Sequence, residues 1–296
     1  MIEEYLPSVI MSAIKEQFNF GVINEIRLRV NCPVVVCAGG DKYFVGDKLV
    51  CDRTMMEEFV YKICDNSMYA INDSVKEGFV TLKGGIRVGL CGEVVSEAGS
   101  VRTIKHIQAV NIRIPHDIKN CSLFAYDYLV GNEVKNTLIL SAPGVGKTTF
   151  LRDFIRQLSS KKPKLNLLVA DERGEIASVV DGNAQIKLGD YVDVYSYASK
   201  EFAFKYGIRS MSPDVFVFDE LDVEKDMPYV YDATNSGVKV IATLHCASIQ
   251  DLKQKTAFKQ YISNKTFDRY VLLTKDSGIG TLTAIFDANL SCIYCR

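Results

Sequence analysis

One run of nine residues constrains this chain more than any other part of it: Ser141-Ala142-Pro143-Gly144-Val145-Gly146-Lys147-Thr148-Thr149. It is preceded by a short apolar strand, Thr137-Leu138-Ile139-Leu140. It is followed by a segment in which Phe150, Leu151, Phe154, Ile155 and Leu158 fall at helical spacing. A strand, a glycine loop and a helix in that order place several backbone N–H groups around one point, where phosphate oxygens are held. Gly144 and Gly146 permit the tight curl. In such a loop Lys147, expected as a solvent-facing cation, reaches the β- and γ-phosphates and Thr148 ligates magnesium. Thr149 lies at the helix start beside the phosphates. The usual pattern opens with a glycine where this chain has Ser141, and Pro143 with Gly144 shapes the loop instead.

A second element falls 72 residues after Lys147 (219 − 147). Val215-Phe216-Val217-Phe218 is an apolar strand ending in Asp219-Glu220, the Walker B arrangement. Asp219 is the magnesium-holding acid, and Glu220 is placed to polarise an attacking water. Alone the pattern is common; beside a phosphate loop it is specific. Two further strand ends carry polar groups. Val169-Ala170 leads into Asp171-Glu172-Arg173-Gly174-Glu175, in which Glu172 is the alternative base. Thr243-Leu244 leads into His245, either a sensor of the γ-phosphate or a strand-end histidine with a local partner.

The runs 165–170, 215–218 and 238–243 read as strands buried on both faces of a parallel sheet. Their alternation with helices predicts a doubly wound α/β domain of the RecA-like P-loop kind over 136–296. Residues 1–115 read differently. Ile23–Val30 and Ala109–Ile114 alternate apolar and polar residues, Val34–Gly40 reads as a strand and turn, and Thr54–Cys64 as a short helix. Phe79–Val95 looks like a hairpin or meander around Gly84-Gly85 and Gly89. A smaller α+β N-terminal domain is therefore expected, with a linker over 116–135.

Composition narrows the partners. Thirty-five lysines and arginines balance 36 acids, and there is no tryptophan, so nucleic acid is not an expected ligand. No stretch reaches the roughly 18 apolar residues of a membrane span, and Met1–Tyr5 lacks a signal-peptide pattern, which makes the cytosol the expected compartment. The nine cysteines read as reduced. Cys292-Ile293-Tyr294-Cys295 is half of a metal or redox motif and reads as inert thiols.

The order of P-loop, acidic box, "IRSMSPDVFVFDE" (208–220) and "VIATLHCAS" (240–248) resembles the secretion-ATPase superfamily of type II and type IV secretion and pilus motors. Within it, "EIRLRV" (25–30), "GGIRVGLCGEVV" (84–95), "NIRIP" (111–115), "GKTTFLRD" (146–153) and "DERGEIA" (171–177) resemble the stage III sporulation protein AA family over nearly the whole chain. The resemblance implies an ATP- and Mg2+-dependent hexameric ATPase on the cytosolic face of a membrane. There it would energise a transenvelope channel between mother cell and forespore, attached through membrane-embedded channel or platform proteins of the sporulation apparatus. It implies arginines given across the subunit boundary by the N-terminal domain. Arg87 and Arg113 lie in the matching blocks, with Arg102 in reserve. The chain departs from the superfamily in Leu221-Asp222-Val223 after the Walker B acids and in Tyr191-Val192 before Asp193-Val194, where relatives carry arginines. A nucleic-acid-translocating RecA-fold ATPase and a nucleotide-gated scaffold with little turnover are the rival readings.

Overall fold

The computed structural model describes residues 2–65, 78–97, 100–162, 164–180, 182–275 and 278–296. Its contacts divide the chain into two units: Met1–His116 with Val180–Gln185, and Asp117–Val179 with Ile186–Arg296.

Among the described residues, the first unit is built on a six-stranded sheet. Its order is Asp41–Phe44, Val35–Ala38, Ile23–Arg29, Ser100–Arg113, Ile86–Glu97, Phe79–Leu82. Every pairing in it is antiparallel. Alternation along Ile23–Arg29 buries Ile26 and Leu28 while the residues between them stay partly exposed. Two helices cover that apolar face. Ser8–Gln17 contributes Ile10 and Ile14, and Arg53–Asp65 contributes Met56, Phe59 and Ile63, each set at helical spacing.

Among the described residues, the second unit carries an eight-stranded sheet in the order Val192–Ser196, Leu167–Asp171, Val215–Phe218, Lys239–His245, Thr137–Ser141, Arg269–Thr274, Thr281–Asp287, Cys292–Cys295. The first six strands run parallel, and the last two add antiparallel to the edge. Period-two alternation divides the central strands between two cores. Val215, Val217, Ile139 and Ile241 pack on one face with Phe150, Leu151, Phe154, Ile155 and Leu158 of helix Lys147–Lys161. Phe216, Phe218, Leu138 and Leu140 pack on the other with Phe204, Met227 and Val230. Burial on both faces explains why these strands read as continuous apolar runs.

One expectation needs correction. The segment 116–135 is not a linker: from Asp117 it belongs to the second unit, and Ala125, Tyr126, Leu129, Val130 and Val134 lie in that unit's core. Its entry is fixed by Asp153, a fully buried carboxylate that accepts hydrogen bonds from the Asn120 and Ser122 amides and from Ser122 Oγ at 2.8, 2.9 and 2.6 Å. The C-terminal antiparallel strands also went unread. Cys292 and Cys295 sit on the outermost of them, both exposed and both free thiols.

Candidate nucleotide site

The site forms where the parallel strands end. In parallel register Ser141 pairs with His245, so the last residue before the phosphate loop lies beside the last residue of the neighbouring strand. Beyond Ser141 the chain curls through Gly144 (φ 67°) and Gly146 (φ 113°), and the helix begins at Lys147. Gly146 is required for space as well as conformation. A Cβ there would lie 2.5 Å from Ile279 Cγ2 and 2.7 Å from the Gly280 nitrogen, and the Gly280 amide donates to the Val145 carbonyl at 2.7 Å. The turn before strand Thr281–Asp287 therefore rests directly on the phosphate loop.

Lys147 is buried rather than solvent-facing, with only 6% of its surface exposed. Its Nζ lies 2.9 Å from His245 Nδ1, 3.3 Å from Ser141 Oγ and 3.5 Å from the Ser141 carbonyl oxygen. Burial pushes the ammonium below the ordinary lysine value, and the nearby carboxylates of Asp219 and Glu220 pull it part of the way back. A desolvated cation at the mouth of a loop of amides attracts an anion.

Thr148, on the first turn of the helix, donates its hydroxyl to Asp219 Oδ2, and Thr243 donates its hydroxyl to Asp219 Oδ1. A hydroxyl and a carboxylate in direct contact are hard oxygen donors of the kind that hold magnesium beside substrate phosphates. No group of three or more His, Cys, Asp or Glu side chains suited to a metal occurs among the described residues. Thr243 was overlooked in the sequence, although it stands two residues before His245 and so shares its strand face.

Glu220 follows in a left-handed conformation (φ 54°), its amide 3.0 Å from Thr243 Oγ1 and 3.1 Å from Asp219 Oδ1. Its carboxylate meets Arg173 Nη1 at 2.6 Å through Oε2 and His245 Nε2 at 3.6 Å through Oε1. Arg173 belongs to the acidic box and was hidden there by its neighbours. The acids of that box divide by role. Asp171 is buried and accepts from the amides of Glu175, Ile176, Ala177 and Ser178 at 2.7 to 3.2 Å, so it shapes the loop. Arg152, from the helix, closes the same loop by donating to the Glu175 carbonyl. Glu172 is left half exposed, 3.9 Å from Lys200 Nζ, beside a cavity of about 860 Å³ that Arg173, Glu220 and His245 also line.

Arg87 and Arg113 belong to the first unit. They are direct partners across antiparallel strands. Arg87 stacks on the Phe79 ring with 3.8 Å from its guanidinium carbon to the centroid, and Arg113 Nε lies 4.0 Å from Glu25 Oε2. Arg102 forms an exposed pair with Glu97 at 2.5 Å, further along the same hairpin. No helix among the described residues is long and apolar enough to cross a membrane.

Comparison with known proteins places this geometry. Among solved structures, the Legionella pneumophila ATPase DotB matches with a TM-score of 0.61 at 14% identity, covering 90% of this chain and 77% of that one. The pilus retraction motor PilT, solved with bound ADP, matches at 0.59 and 18% identity, covering 89% and 76%. At those identities the likeness is one of fold: a RecA-like domain and a small antiparallel-sheet domain, as in secretion ATPases. Stage III sporulation protein AA of Bacillus subtilis (strain 168) is 34% identical over 291 residues, 97% of this chain and 94% of the relative. The family described as sporulation stage III, protein AA matches residues 3–293. The chain belongs to the stage III sporulation protein AA family.

Proposed function

We propose that the chain is an ATP-hydrolysing ring motor of the secretion-ATPase type, a hexamer that energises a transenvelope channel during endospore formation. One observation carries the catalytic part of this reading. Lys147, Thr148, Asp219, Glu220 and His245 come from three separate segments and converge at the carboxyl edge of one parallel sheet, joined by direct contacts. A fold needs no such constellation for stability, and buried or strained polar groups gathered at a strand edge mark sites of chemistry.

In this reading the loop amides and Lys147 hold the β- and γ-phosphates, while Thr148 and Asp219 hold magnesium. When bound, the magnesium neutralises charge on the transferred phosphoryl group. Glu220 accepts a proton from the attacking water. For that it must leave Arg173, which makes the Arg173–Glu220 pair a resting contact that nucleotide has to open. Ring assembly, the membrane platform and the cytosolic face are drawn from the family's likeness to secretion ATPases.

Phosphate release from MgATP by the purified chain, alone and with membranes from sporulating cells, tests the reading. Glu220→Gln should bind ATP with turnover lowered on the order of 100-fold. Unchanged turnover in Glu220→Gln, with loss in Glu172→Gln, would move the base to the acidic box. ATP binding without turnover under any condition would leave a nucleotide-gated scaffold.

A further inference from the structure

Lys200 breaks a local rule. It is the first residue of the helical run 200–211, where the positive end of the helix dipole disfavours a cation, and it is only 9% exposed. Ser199 already caps that helix end by accepting from the Phe202 amide at 3.2 Å, so the lysine is not needed there. Its ammonium group is spent elsewhere. Nζ donates to the main-chain carbonyl of Glu220 at 2.6 Å and pairs with Asp226 Oδ2 at 2.7 Å, and Glu172 Oε2 stands at 3.9 Å. Asp226 is itself buried, and the same Oδ2 accepts the Asp222 amide at 2.8 Å.

These contacts surround one strained residue. Glu220 holds a left-handed backbone that a side chain with a Cβ seldom adopts. Its amide is fixed by Thr243 Oγ1 and its carbonyl by Lys200, so the peptides on both sides of its Cα are clamped. Strain of this kind persists only where the surroundings impose it. The Lys200–Asp226 pair ties the clamp to the loop 222–226 that follows the Walker B acids.

We propose that Lys200 is a positioning residue: by holding the Glu220 carbonyl and the Asp226 carboxylate together, it fixes the turn that aims the Glu220 carboxylate. The proposal rests on Glu220 acting as the base. The contacts of Lys200 Nζ described above are to the Glu220 turn, Asp226 and Glu172 and not to Lys147 or Thr148, so its effect belongs in kcat and not in ATP affinity.

The experiment compares the full chain with Lys200→Met, Lys200→Arg and the double variant Lys200→Met/Asp226→Asn, which removes the carboxylate that Lys200→Met leaves buried and unpaired. MgATP turnover and hydrogen exchange of the peptide spanning 219–226 are measured for each. Lys200→Met should lower kcat on the order of 10- to 100-fold with KM for ATP within about threefold, and should speed exchange in 219–226 alone. Lys200→Arg, which keeps a cation with several donors, should regain most of the loss. The double variant should stay as slow as Lys200→Met. Recovery of parent turnover in the double variant would overturn the proposal, since the defect would then be only the orphaned charge. Parent-like kcat in Lys200→Met, or unaltered exchange across 219–226, would overturn it as well. A parent chain without turnover would defeat the ATPase reading separately, and the exchange data would still decide whether Lys200 holds the turn.

Discussion

Lys147 Nζ lies 2.9 Å from His245 Nδ1, and the opposite ring nitrogen of His245 lies 3.6 Å from Glu220 Oε1. A protonated lysine can only donate, so His245 accepts at Nδ1 and carries its proton on Nε2, facing the carboxylate. One imidazole thus connects the phosphate-binding cation to the candidate base. In the proposed reading, arrival of a γ-phosphate would draw Lys147 away from His245 and pass the change to the ring's other side. A sensing role for His245 belongs to that proposal; its partners in this structure are Lys147 and Glu220.

The first prediction concerns protons. Burial holds Lys147 below the ordinary lysine value, so in the nucleotide-free protein it gives up its proton at lower pH than a free lysine does. Phosphate favours the charged form and raises that value again. Binding therefore takes up protons, and affinity for MgATP falls as pH rises through the lowered value. Calorimetric titrations in two buffers of different ionisation enthalpy should show proton uptake that grows as pH is raised toward the ordinary lysine range. Identical heats in both buffers at alkaline pH would contradict the desolvated lysine.

Gly146→Ala gives a second, steric prediction. The added methyl would stand 2.5 Å from Ile279 Cγ2 and 2.7 Å from the Gly280 nitrogen, in a backbone conformation at φ 113°. The side chain can move, but the Gly280 amide is tied to the Val145 carbonyl. Expected are a stability loss of about 2 kcal/mol or more and ATP affinity lowered at least tenfold. Adding Ile279→Ala should restore neither, because the backbone contact remains. Full recovery in the double variant would place the conflict in the side chain alone.

Asp171 and Glu172 are adjacent in sequence and opposite in role. Asp171→Ala strips the acceptor from four amides and should cost on the order of 3 kcal/mol, roughly 10 °C in Tm. Glu172→Ala, at a half-exposed carboxylate, should leave Tm within a degree or two. Thermal melts of both variants check this. Equal melting temperatures would mean that the loop does not depend on its buried carboxylate.

What could be read from residues alone follows from how each kind of residue signals. Val215–Phe218 was legible because a strand covered on both faces is apolar throughout, and the Asp219-Glu220 that ends it interrupts the run sharply. The phosphate loop was legible because its glycines, lysine and threonine occupy fixed places relative to a strand and a helix. Burial of charge was not. Lys147 reads as a solvent-facing cation, nothing in the sequence around Lys200 or Asp153 signals enclosure, and only the packing shows that each of the three is buried. Segment 117–135 was misread for a related reason. Its apolar residues Ala125, Tyr126, Leu129 and Val130 are too few to reveal a periodicity, yet they complete a core built by other elements.

The last prediction concerns the arginines. Arg87 and Arg113 face each other across two antiparallel strands, an arrangement in which like charges repel unless something negative lies near. Arg113 lies 4.0 Å from the Glu25 carboxylate, which Arg27 and Asn111 also engage, and it keeps about 64% of its side chain exposed. An exposed guanidinium with one shared counter-ion is suited to meet the phosphates of a neighbouring subunit. If these arginines act across a boundary, Arg113→Ala should lower turnover about 100-fold or more with little change in ATP binding to the isolated subunit, and Arg87→Ala should behave alike. Mixing either variant with Glu220→Gln should then restore part of the hydrolysis, because some interfaces regain both an intact base and an intact arginine. Particle mass measured with ATP present must show assembly alongside the rescue. Full activity of the arginine variants in a monomer, with no complementation at any mixing ratio, would defeat the ring motor and leave a nucleotide-binding protein with surface arginines.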